Sequence, residues 1–176
     1  MGDAITIEWR AFLLRPEREQ RPLEKFRSYT ESWRRPASLE PRCEFRVWAT
    51  DDAPPSHSVP AAVAAKVARR FGDGPAARYH DALLRAYFAE NRTVSERAVL
   101  VDVAAAAGID GPAFDAALTE HGDEAQREVF RDYHEAVELG IYAVPAVVVD
   151  GRFLVSGAVA VDDYERVVER AGEPEG

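Results

Sequence analysis

The stretch Gly140-Ile141-Tyr142-Ala143-Val144-Pro145-Ala146-Val147-Val148-Val149-Asp150-Gly151-Arg152-Phe153-Leu154-Val155-Ser156-Gly157-Ala158 decides how the chain reads. Two apolar, β-forming runs, Ala146–Val149 and Arg152–Val155, flank Asp150-Gly151. A tight hairpin turn needs positive φ at its centre, which Asp-Gly supplies at little cost. The segment therefore predicts a β-hairpin entered through Val144-Pro145. Downstream, Asp162 or Asp163 is expected to cap a final helix through Tyr164, Val167 and Val168, and the tail Gly172–Gly176 is expected to fray.

Upstream of the hairpin the pattern is helical. Gly72, Gly108 and Gly140 mark helix ends, and Pro60, Pro75 and Pro112 mark helix starts. Ser58 and Ser95 are expected as caps for helices over 59–71 and up to Gly108. Tyr79, Leu83, Leu84, Tyr87 and Phe88 share a broad apolar face of a third helix. A short helix over Phe114, Ala117 and Leu118 and a separate one over 123–139 complete the group. Nearer the start, Ile5, Ile7 and Trp9 alternate and predict a strand over 5–14. Leu23, Phe26, Tyr29, Thr30 and Trp33 predict a helix ending at Pro36, and Phe45, Val47 and Ala49 predict a strand or extended segment over 44–49. The order is that of a small sheet interrupted by helices. It divides into 1–58, a helical insertion 59–139, and 140–176.

The composition narrows the function. The 176 residues are 47% hydrophobic, enough for a packed interior, with a net charge of −9. Residues 1–50 carry ten Lys/Arg against eight Asp/Glu, and the remainder twelve against twenty-three. An acidic body argues against nucleic acid as a partner. The mildly basic start reads as solvated surface rather than an anion patch. No run approaches the roughly 20 apolar residues of a membrane span. No secretory leader is evident, so a cytoplasmic location is expected. Met1-Gly2-Asp3-Ala4-Ile5-Thr6 fits the bare myristoylation pattern, but the following residues read as a strand. The one cysteine, Cys43, allows neither an intramolecular disulfide nor a Cys-rich zinc site. It reads as a small buried side chain, with Arg42 and Arg46 opposed by Glu40 and Glu44. The four histidines have no metal-ligand spacing, and no Gly-x-Ser-x-Gly, phosphate loop or dinucleotide fingerprint occurs. No metal, cofactor or catalytic residue is expected. His57, in Pro55-Ser56-His57-Ser58 before a helix start, is a candidate binding residue whose pKa that position would lower. His80 reads as a helix-packing residue, and His121 and His134 as exposed.

Three stretches together resemble the DsbA family of thioredoxin-fold oxidoreductases, most of all its FrnE-type members. They are Trp9-Arg10-Ala11-Phe12-Leu13-Leu14, Tyr79-His80-Asp81-Ala82-Leu83-Leu84-Arg85-Ala86-Tyr87-Phe88, and the proline loop and hairpin quoted above. The resemblance implies an α/β fold: a thioredoxin-like core with an inserted α-helical domain, the first strand and first helix of the core missing. It implies a cis Val144-Pro145 bond whose backbone meets an extended substrate, and it places the His57 loop at the cleft. The family's Cys-x-x-Cys has no counterpart, because Cys43 matches neither position. Thiol–disulfide exchange needs an attacking thiolate and usually a resolving thiol. The expectation is thus a family member without dithiol activity in these residues, so whether it is an enzyme is left open. Two alternatives stand beside it: a non-catalytic peptide- or partner-binding module, and a glutathione-dependent protein like the kappa-class transferases and chromene-carboxylate isomerases. By the same resemblance, strand 5–14 would pair directly with 146–149, or a second copy or partner segment would complete the sheet. A start placed downstream of the dithiol unit is the third option.

Overall fold

The computed structural model describes residues 5–40 and 43–172. The myristoylation pattern at Met1–Ala4, the Arg42 side chain and the tail beyond Gly172 lie outside those residues. The chain forms two compact units, one up to Phe130 and one from Arg131 on.

The first unit is helical. It holds α1 (Leu23–Thr30), α2 (Arg34–Leu39), α3 (Val59–Ala68), α4 (Asp73–Phe88), α5 (Arg97–Ala106) and most of α6 (Gly111–Glu138). Its main core gathers Ala64, Val67, Tyr79, Val103, Ala104 and Phe114, each at most 1% exposed. Small residues on α3 and α5 let the helices approach closely, and the Tyr79 and Phe114 rings fill the centre at 5.1 Å. Burying each such ring contributes roughly 1.5–3 kcal/mol. A second cluster joins Phe26, Trp33 and Trp48, with Tyr87 and Phe88 against it.

Several local expectations are corrected. Pro36 does not end a helix: a 3-10 turn over Glu31–Trp33 leads into α2, and Pro36 sits in its first turn. There a missing N–H costs nothing. Residues 112–139 do not hold two helices. α6 runs unbroken for 28 residues through Gly122. Mid-helix glycine costs about 1 kcal/mol relative to alanine but does not stop a helix. Asp110 starts α6, its carboxylate accepting the Ala113 N–H at 2.9 Å. Neither serine caps as expected. Ser58 Oγ accepts the Arg15 N–H at 3.1 Å, and Ser95 Oγ accepts the Ser56 N–H at 3.1 Å. Residues 44–49 form no strand. Asn91 holds them instead, its side chain accepting from Ala49 N at 2.9 Å and donating to Arg46 O at 3.2 Å. Trp48 N–H is satisfied by Thr30 Oγ1 at 3.0 Å.

The predicted strand over 5–14 is not formed either. A strand exists only where a neighbour accepts its hydrogen bonds. Among the described residues the sheet has two strands, so 5–14 does not pair with 146–149. Leu13 is 2% exposed, whereas Ile7 and Trp9 are exposed.

The second unit holds the end of α6, the strands β1 (Ala146–Val149) and β2 (Phe153–Ser156), and α7 (Val161–Ala171). The hairpin is antiparallel, with Ala146 opposite Ser156 and Val149 opposite Phe153. Asp150 and Gly151 have φ of 53° and 66°, as the dipeptide predicts. α7 packs on the hairpin. Asp163, rather than an N-cap residue, satisfies the helix start, accepting the Ala160 N–H at 3.1 Å.

Candidate functional site

The proline loop is positioned from both ends. At the end of α6, Gly140 turns the chain at φ 76°, and the Ile141 N–H reaches back to Ala136 O at 2.9 Å. This is a glycine-terminated helix end that satisfies late carbonyls and redirects the backbone. At the far side the Gly157 N–H donates to Pro145 O at 2.8 Å, extending the hairpin register by one step. Between these anchors the Val144-Pro145 peptide bond is cis.

The loop's surface is apolar. Tyr142 is 76% and Val144 48% exposed. Val147 and Val148 point to opposite faces of β1 and are equally exposed. Among the described residues, neither the Val144 N–H nor its carbonyl has a hydrogen-bond partner. One edge of β1 pairs with β2, and its other edge is unpaired among the described residues.

His57 belongs to the first unit. Its loop is laced to the segment before α1: Ser58 N–H donates to Arg15 O, Glu19 N–H to Ser56 O, and Arg21 Nη2 to Pro55 O. His57 Nδ1 lies 2.9 Å from Ser56 Oγ. Partial burial, with Arg18 nearby, holds the imidazole below the usual histidine range. The expected direction is met, but from desolvation and a guanidinium rather than from the helix start. Next to it, Arg21 stacks over Phe26 at 4.2 Å, and its Nε is buried without a partner. Burial first, then Arg15, lowers its pKa.

The remaining candidates are distributed. His80 does not pack in the core. It is exposed on α4, its ring 5.6 Å from that of Trp9, while its neighbour Tyr79 is buried. His134 is exposed and His121 half-buried. Cys43, expected inside, is exposed. Its N–H donates to Glu40 O at 3.1 Å. Among the described residues no group of three or more His, Cys, Asp or Glu could hold a metal ion. No helix there is long and apolar enough to cross a membrane. Asn91 is the structural residue that sequence reasoning missed. The available signal was an asparagine just past the predicted helix, a residue type that tolerates positive φ; its φ is 54°.

Comparison with known proteins decides the family. The model of the DSBA-like thioredoxin domain matches residues 2–169. The chain belongs to the DSBA-like thioredoxin domain family. Its structure is similar to that of the probable DsbA oxidoreductase SCO1869 of Streptomyces coelicolor, at 25% identity and a TM-score of 0.78, covering 99% of this chain and 79% of the other. It shares the fold of the cytosolic disulfide reductase DsbM of Pseudomonas aeruginosa, at 23% identity and a TM-score of 0.62, covering 84% and 73%. The uncharacterized protein YwbO of Bacillus subtilis is 24% identical over 171 residues, 95% of this chain and 82% of YwbO. The DsbA-like thioredoxin fold inferred from the proline loop and hairpin is thus borne out, as a largely helical chain with a small sheet.

Proposed function

We propose that this DsbA-like chain is a binding module that holds an extended peptide at Val144-Pro145 and along β1, without dithiol exchange of its own. The observation that carries the reading is Val144: an exposed side chain whose main-chain donor and acceptor are both unpartnered among the described residues. An extended peptide supplies the complementary donor and acceptor, in the manner of strand addition. The sequence supports the second half of the reading, since its single cysteine leaves no resolving thiol. Within the family the FrnE type is the proposed placement, supported by the helical segment between α3 and α6. The proposed location is the cytoplasm, where a lone exposed thiol stays reduced. His57, in the other unit, remains a separate candidate binding residue, its imidazole held toward the neutral form by burial and Arg18.

Two measurements test this. Fluorescence anisotropy with a labelled extended peptide is expected to give saturable binding, weakened about tenfold by Val144→Asp, which adds a charge to an apolar contact. Insulin reduction by the chain is expected at background level. Absence of binding, or turnover of insulin, overturns the reading. A second reading has its own support: the oxidoreductase SCO1869 has about a fifth of its length outside the aligned region. In that reading a segment outside these residues, or a second copy, completes the sheet and brings the thiols. Reduction of insulin only after such a segment is joined would favour it.

A further inference from the structure

Residues 15–21 carry Arg15, Arg18 and Arg21 against Glu17 and Glu19. Hydrogen bonds lay this stretch along the Pro55–Ser58 loop, within the first unit. Ser58 N–H donates to Arg15 O at 2.8 Å, and Arg15 N–H donates to Ser58 Oγ at 3.1 Å. Glu19 N–H donates to Ser56 O at 3.1 Å, and Arg21 Nη2 to Pro55 O at 2.8 Å. The loop is held in addition by Ser95, whose Oγ accepts the Ser56 N–H at 3.1 Å. These bonds bring the three arginines to His57. Arg10, Arg27 and Arg46, in the same unit, each pair with a carboxylate. Arg18 and Arg21 pair with none among the described residues. Glu17 is exposed, and Glu19 lies 3.8 Å from Arg15, a contact between exposed side chains. Arg21 is half-buried over Phe26 with the Tyr87 hydroxyl beside it, and its Nε is buried without a partner. Withdrawing a guanidinium from water without a counter-charge is costly, and Arg15 adds to that cost. Burial and Arg18 likewise disfavour the imidazolium of His57, and no carboxylate offsets them.

From this placement we infer that Arg18, Arg21 and His57 form a binding site for a phosphate group, free or carried as a monoester by a small molecule. The site lies in the first unit and does not draw on the peptide-binding role of the hairpin. Guanidinium N–H groups match phosphate oxygens in geometry and charge, and such bonds are about twice as strong as neutral ones. In this site His57 Nδ1 accepts from Ser56 Oγ, 2.9 Å away, so Nε2 carries the ring's proton and donates. The phosphate supplies the negative charge that the chain itself does not place beside Arg18 and Arg21.

Nuclear magnetic resonance of the full chain tests this, following the His57 ring and the amides of Ser56, His57 and Ser58. Inorganic phosphate and glycerol phosphate are titrated separately at constant ionic strength, with chloride as the control. Saturable shifts at these residues are expected, with a dissociation constant of about 1–10 mM. Tighter binding of glycerol phosphate supports the site with a monoester as its ligand, and equal binding supports it with the free anion. Arg18→Gln, at an exposed side chain, is expected to weaken binding about tenfold. Arg21→Lys keeps the charge but loses the planar fork, and is expected to weaken it about threefold. Glu17→Gln removes a neighbouring negative charge and is expected to tighten binding about twofold. Arg70→Gln, whose arginine pairs with Glu124, is expected to leave it unchanged. Circular dichroism checks that the variants are folded. Absence of saturable shifts, or equal shifts with chloride, overturns the site. Equal binding by the Arg18→Gln and Arg70→Gln variants overturns it too.

Discussion

Two regions of this chain use similar residues in opposite ways. In the helical unit, Ala64, Val67, Ala68, Tyr79 and Phe114 are 0% exposed. In the hairpin unit, Val147, Val148, Leu154 and Tyr142 remain at least 39% exposed. Helices satisfy their own backbones, so α3, α4, α5 and α6 are free to bury side chains against one another. A two-stranded sheet has one ladder and two outer edges, and alone it is stable only marginally. Its exposed apolar faces and free edge are available for binding. The contrast separates a buried helical core from an exposed apolar hairpin, the surface on which the proposed peptide binding rests.

The sharpest way to break the comparison is Phe114→Ala, which empties the space between Tyr79 and Phe71. It is expected to destabilise the chain by about 3–5 kcal/mol in urea unfolding. Val148→Ala in the hairpin is expected to cost less than about 1 kcal/mol, because much of that side chain already meets water. Equal costs would erase the distinction. Next comes Asn91→Ala, expected to cost about 2–3 kcal/mol, since it orphans the Ala49 N–H and Arg46 O and puts an alanine at φ 54°. Asn91→Gly relieves the backbone but not the lost bonds, so it should recover only part of the stability. Gly151→Ala is smaller, about 1–2 kcal/mol, for a side chain at φ 66°. Hydrogen exchange should show the loss in β1 and β2 and leave α3 to α5 protected. Protection lost equally in both units would contradict their separation.

The smallest effect is the pH dependence at His57. Its folded pKa lies below the ordinary value of about 6.5, because burial and Arg18 penalise the imidazolium. The unfolded chain therefore binds the proton more readily. Stability from this group is full above about pH 6.5 and is lost as pH falls through the depressed folded value. His57→Gln should reduce the drop in unfolding midpoint between pH 7.5 and 5. Identical slopes would remove the assignment.

The hairpin was legible because Asp150-Gly151 encodes its geometry locally. The proline loop was legible as a resemblance, on residues adjacent in sequence. The errors have a common origin. Alternation at Ile5, Ile7 and Trp9 records what a strand would need on its faces, but a strand also needs a partner. Ser58 and Ser95 have the chemistry of caps, yet distant amides at Arg15 and Ser56 claimed their hydroxyls. Cys43 was placed inside by its type, although the chain leaves it at the surface.

The sequence by itself determined the helix-forming segments, the turn at Asp150-Gly151, the acidic balance and the lack of a second thiol. Those depend on side-chain type, φ preference and short-range periodicity. Tertiary structure alone decided which apolar runs were buried, that α6 passes through Gly122, that Asn91 replaces a strand as partner to residues 46–49, and that Val144 keeps its backbone free. Each of those depends on which distant group arrives to satisfy a hydrogen bond or exclude water, and spacing along the chain carries no record of that.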